Sequence, residues 1–139
     1  MSAYELVLAS SCDECSRLED YLGVMAEREG FGRMFLAELQ LVAKEAFVNA
    51  VRHGNRGRKM AVVTLRFEMR GENGARELLM EISDSGSGFA LHALGDPTHK
   101  SRVHRPTGRG IFFMRSFADI IGQECGPAGC TLRLLMRPF

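Results

Sequence analysis

Apolar and polar positions change rhythm several times along the chain, and each change marks an element. Residues 3–9, AYELVLA, read as a short strand. From 13 to 28 the rhythm is helical, with Leu18, Tyr21, Leu22 and Met25 recurring at three- and four-residue spacing. REGFGR, residues 28–33, breaks it. The longest helical stretch covers 33–53, with Leu39, Ala43, Ala46 and Ala50 on one face, and HGNRGRK ends it with two glycines. Residues 60–69 then alternate, placing Val63, Leu65, Phe67 and Met69 on one side. GENG carries an Asn73-Gly74 pair that favours a hairpin turn, and 77–84 alternates again through Leu78, Met80 and Ile82. Residues 90–107 are polar and irregular, 109–118 read as a short helix, and 119–124 with 130–137 form a last hairpin around GPAG.

Strand, helix, helix, strand, strand, loop, helix, strand, strand is the order of an α+β protein. Hairpin connections make the sheet mixed and mostly antiparallel, with helices covering one face: a two-layer α/β sandwich in a single domain, 1–139. A loop as long as 90–107 inside a compact domain is usually functional.

Composition narrows the function without naming it. The 139 residues carry a net charge of +1, so bulk electrostatics favour neither direct nucleic-acid binding nor an anionic membrane. No apolar run approaches the roughly 20 residues that span a bilayer. MSAYELVLAS has no basic segment leading into a long apolar stretch, so no secretory signal is expected, and the chain reads as cytoplasmic. Cys12 and Cys15 form C-x-x-C, and Cys125 and Cys130 form C-x4-C. A shared zinc site needs the chain ends to meet; the plainer reading is reduced, inert thiols, with disulfides unexpected in that compartment.

Three stretches carry candidate chemistry. In EISDSGSGF, Asp84 ends a strand and shares parity with Leu78, Met80 and Ile82. A carboxylate on that side needs donors. A bound ligand with an exocyclic amine, such as adenine, supplies one, and Gly86 and Gly88 would let the backbone approach a flat base. A simple Asp-Gly turn explains the same residues. In ELQLVAKEAFVNAVRHGN, Glu45, Asn49 and His53 lie four apart, on the flank of the apolar face. Asn49 suits a hard cation such as Mg²⁺, and Glu45 is placed to accept a proton from a hydroxyl; a semi-buried amide and a solvated helix carboxylate are the plainer alternatives. In TGRGIFFMRSFAD, Gly108 and Gly110, with Arg109 between them, precede a helix, whose unpaired first N–H groups suit a phosphate; a plain glycine-rich helix entry is the alternative. The loop cations Lys100, Arg102 and Arg105 precede it.

In that order, E-x3-N, D-x-G-x-G, basic loop and G-x-G, the stretches resemble the N box and two glycine boxes of the GHKL (Bergerat-fold) ATPases, across about residues 38 to 120. EAFVNAVRHGN, DSGSGF and TGRGIFFMRSFAD look most like the RsbW-type anti-sigma-factor serine kinases. The resemblance implies ATP and Mg²⁺ as cofactors. It implies Asn49 as the Mg²⁺ ligand, Glu45 as general base and Asp84 as the reader of the adenine amine. Gly86 and Gly88 would shape the base pocket, Gly108 and Gly110 would meet the phosphates, and 90–107 would act as the lid. It further implies phosphoryl transfer to a STAS-domain anti-anti-sigma protein, binding of a sigma factor, and a homodimer. A non-catalytic ATP-responsive module of the same fold is the alternative. A histidine kinase fragment fits poorly, because no histidine precedes the motif.

Overall fold

The computed structural model describes residues 2–55, 61–72, 75–85, 114–127 and 129–138. Five strands form one sheet: β1 (Ser2–Ala9), β2 (Val62–Arg70), β3 (Glu77–Asp84), β4 (Asp119–Gly126) and β5 (Gly129–Met136). Their order is β1-β2-β3-β5-β4, and every pairing among the described strands is antiparallel. Two helices, α1 (Cys15–Glu29) and α2 (Arg33–Asn49), lie between β1 and β2 in sequence, and residues 114–117 are also helical.

The alternation in the sequence is what makes the sheet two-faced. Val63, Leu65, Phe67 and Met69 of β2, with Leu78, Met80 and Ile82 of β3, are buried against the helices. Leu132, Leu134 and Met136 of β5 complete the sheet side of the core. Leu18, Leu22 and Met25 of α1 and Leu39, Ala43 and Ala46 of α2 meet them from the other layer. Each fully buried aliphatic side chain is worth about 1.5–3 kcal/mol of transfer free energy, so this layer contact dominates stability. The opposite face carries charge. Glu5, Arg66, Glu81 and Arg133 succeed one another across β1, β2, β3 and β5. Arg66 Nε bonds Glu5 at 2.6 Å and Arg133 Nε bonds Glu81 at 2.8 Å. Such cross-strand pairs contribute only about 0.2–1 kcal/mol each, but they keep a single-layer face polar.

The two helices end differently. α1 stops at Gly30, which takes the left-handed conformation (φ 74°) that a side chain resists. The helical run that begins with α2 ends at Gly54, the first of the expected glycines, but its last turn widens into a π turn, Ala50–Gly54, closed by the Asn55 N–H bonding to Ala50 O at 2.7 Å, with Asn55 itself right-handed (φ −83°). Single π turns are frequent at functional sites, and this one begins directly after Asn49.

The cysteine expectations need correcting. Cys125 and Cys130 are direct partners across the β4–β5 hairpin and form a disulfide, because the register brings the two residues together. Cys12 and Cys15 are free thiols at the start of α1. β1 and β4 are opposite edges of the sheet, so the four sulfurs do not converge. No His, Cys, Asp or Glu cluster suited to a metal occurs among the described residues. No described helix is long and apolar enough to cross a membrane.

Candidate functional site

Glu45 and Asn49 sit one turn apart on α2, as their spacing requires, on the side that borders the core. Glu45 is half-buried. Asn49 lies deeper than the expected semi-buried flank: it is 1 % exposed, and its amide nitrogen has no hydrogen-bond partner among the described residues. Leaving a buried amide unpaired costs about 1–3 kcal/mol, so its retention needs a reason outside packing. A ligand oxygen that accepts from this amide N–H supplies one, whereas a cation would engage the amide's oxygen instead. A carboxamide oxygen is a fitting ligand for Mg²⁺, which takes few protein ligands and keeps several waters.

Asp84 closes β3, half-buried, with Cys130 as its direct partner on β5. Its parity with Ile82 is as the alternation predicted, so it belongs to the helix-covered side at the very end of the strand. The neighbouring hairpin approaches it tightly. Gly129 has φ 134°, and a Cβ there would lie 1.8 Å from the Asp84 carbonyl oxygen. Only glycine allows β5 to begin so close to the end of β3.

One residue that sequence reasoning missed joins these two parts. Asn55, 0 % exposed, donates from Nδ2 to Ser10 Oγ and to Val62 O, both at 3.1 Å. Its Oδ1 accepts from the Ser85 N–H and from Ser85 Oγ, both at 2.9 Å. The end of α2 is thereby tied to the residue that follows Asp84. The signal lies in HGN, an asparagine directly after a helix-ending glycine, a pattern that by itself marks only a stop.

Gly86, Gly88, Gly108, Arg109 and Gly110 lie outside the described residues, as do the 90–107 segment and the side chain of His53. Glu45, Asn49 and Asp84 are thus the candidate residues the structure positions, with α2 and β3 joined at the end where Asp84 stands. An open groove of about 590 Å³ between α1 and α2, lined by Glu19, Val24, Glu27 and Phe31 among others, contains none of them.

A helix bearing Glu-x3-Asn packed on an antiparallel sheet whose central strand ends in an aspartate defines the class. The family model for a histidine kinase-like ATPase domain matches residues 8–136, and the chain belongs to that family. The fold is also similar to part of the crystal structure of the RsbU and RsbW domains of Rv1364c from Mycobacterium tuberculosis, with a TM-score of 0.66 at 16 % identity. That likeness covers 99 % of this chain and 33 % of the other, so the chain spans about a third of that protein's resolved length. No curated protein matches the chain.

Proposed function

We propose that the protein is an ATP-dependent serine/threonine kinase that also acts as an anti-sigma factor, with a STAS-domain anti-anti-sigma protein as phosphoryl acceptor. The observation that carries the nucleotide part is Asn49: a buried amide whose nitrogen has no partner among the described residues, one helical turn from a carboxylate, in a histidine kinase-like ATPase domain. Membership in that family, the E-x3-N helix and the aspartate at the end of β3 support ATP as the nucleotide. The RsbW domain in the structural neighbour supports the regulatory setting. A sigma factor as second partner, a dimer and a cytoplasmic location belong to the same reading.

Each residue has a chemical task. Asp84 accepts a hydrogen bond from the adenine amine and sets the base's position. Asn49 would hold Mg²⁺, which when bound neutralises charge on the phosphates. Glu45 accepts the proton of the acceptor hydroxyl as its oxygen attacks the γ-phosphorus, and the bond to the β-phosphate oxygen breaks to release ADP. In this reading Gly86 and Gly88 would let the backbone approach the base, Gly108 and Gly110 would meet the phosphates, and Arg109 would lend them positive charge.

The test is transfer of labelled γ-phosphate to a panel of STAS-domain proteins. Wild-type protein phosphorylates a serine or threonine of at least one, and Glu45→Ala binds ATP without transfer. Nucleotide binding with no phosphoprotein in any pairing would make the domain a non-catalytic ATP-responsive module. Full transfer by Glu45→Ala would remove that carboxylate as the base.

A further inference from the structure

We infer that Asn55 is a positioning residue for adenine recognition, holding Asp84 in register with the α2 end; the inference rests on the nucleotide reading above. Its carboxamide has two N–H donors and an oxygen with two lone pairs. All four are used: Ser10 Oγ and Val62 O take the donors, and Ser85 N–H and Oγ take the oxygen. The partners fix the amide's orientation. Val62 O accepts only and the Ser85 N–H donates only, so a flipped amide would set like against like at both.

The placement gives this network its function. Asn55 caps the π turn that begins after Asn49, and it grips Ser85, which follows Asp84. Ser10 and Val62 anchor the amide to the end of β1 and the start of β2. Ser10 is itself tied to the β2 side through its N–H to Ala61 O at 3.0 Å. One fully buried side chain therefore sets where β3 ends relative to the helix that carries Glu45 and Asn49. A hydrogen bond to an adenine amine depends on tenths of an ångström at the Asp84 carboxylate, so the contact that sets the end of β3 bears on it directly. Aspartate at position 55 lacks the donors, and serine lacks the reach for both sides.

The readout that separates positioning from mere stability is base discrimination. Inosine diphosphate differs from ADP in presenting an oxygen where adenine has the amine. Calorimetric titration of wild type, Asn55→Ala, Ser85→Ala and the control Arg76→Ala with ADP and inosine diphosphate gives four affinity ratios. Arg76 pairs with Glu29 at 2.6 Å, just before the other end of β3, so its loss lowers stability without touching the Asp84 corner. Wild type and Arg76→Ala should prefer ADP by the same factor. Asn55→Ala should lose about tenfold in ADP affinity, with the preference falling in parallel, and Ser85→Ala should fall a fewfold in the same direction. If Asn55→Ala does not fold, Ser85→Ala alone decides. A wild-type ratio in the folded variants overturns the inference while leaving nucleotide binding intact. A wild type that binds neither nucleotide overturns the nucleotide reading and this inference with it, and one that binds both equally overturns the adenine role of Asp84 and hence this inference.

Discussion

Asp84 and Gly129 are in backbone contact where β3 ends and β5 begins: a Cβ on the glycine would sit 1.8 Å from the aspartate's carbonyl oxygen. With φ at 134°, Gly129 also occupies a conformation that L side chains rarely adopt. Gly129→Ala should destabilise the protein by at least the roughly 1–3 kcal/mol of backbone strain and displace Asp84 as the clash relaxes. Urea denaturation and ADP titration should both register the change. Unaltered ADP affinity would show that the β5 start does not hold the Asp84 corner.

Asn49 should trade stability for function. Asn49→Leu removes an unpaired buried amide and keeps a similar volume, so the variant should be at least as stable as wild type, by up to about 1–3 kcal/mol. The same variant should lose the Mg²⁺ dependence of nucleotide binding. Chemical denaturation and titrations with and without Mg²⁺ check both halves. A strongly destabilised variant would mean that the amide serves packing.

The Cys125–Cys130 bridge closes a short hairpin, with a sequence separation of 5. The loop-closure relation puts its contribution near ~2 kcal/mol at most. Reduction by a dithiol, or the double variant Cys125→Ser with Cys130→Ser, should lower the denaturation midpoint without unfolding the chain. Complete unfolding on reduction would contradict a core that rests on the two-layer contact. Cys12 is exposed, whereas burial raises the Cys15 pKa, so iodoacetamide should label Cys12 first.

Tyr4 gives a pH dependence with a definite sign. Its hydroxyl donates to the Glu29 carboxylate, which raises the phenol's pKa above the ordinary 10.0, and burial adds to the shift. The folded form therefore keeps the proton to higher pH than the unfolded chain. The stabilisation is complete below the unfolded value and is lost as pH rises through the folded one. The stability difference between wild type and Tyr4→Phe should be flat from pH 7 to 9 and shrink above about 10. A difference that grows with pH would contradict the bond.

Much of this architecture was legible because it follows from periodicity. Two-residue alternation located β2 and β3 and put Leu78, Met80, Ile82 and Asp84 on one face. Four-residue spacing put Glu45 and Asn49 on one side of α2, a consequence of helix geometry alone. What failed depends on contacts distant in sequence. The π turn after Asn49 accompanies a side chain, Asn55, whose partners Ser10 and Ser85 lie 45 and 30 residues away. The depth of Asn49 depends on how closely α2 packs on the sheet, which spacing does not specify. The reduced-thiol expectation holds for Cys12 and Cys15 and fails for Cys125 and Cys130, which hairpin register joins, and strand order keeps the two pairs from sharing a zinc.

Calorimetric titration of the wild-type protein with ADP, with and without Mg²⁺ and beside Asp84→Asn, bears most directly on whether a purine nucleotide occupies this end of the sheet. Saturable binding that tightens with Mg²⁺ and weakens in Asp84→Asn by about 1–3 kcal/mol is the expected result. No binding by the folded wild type, or equal affinity in Asp84→Asn, would contradict the assignment.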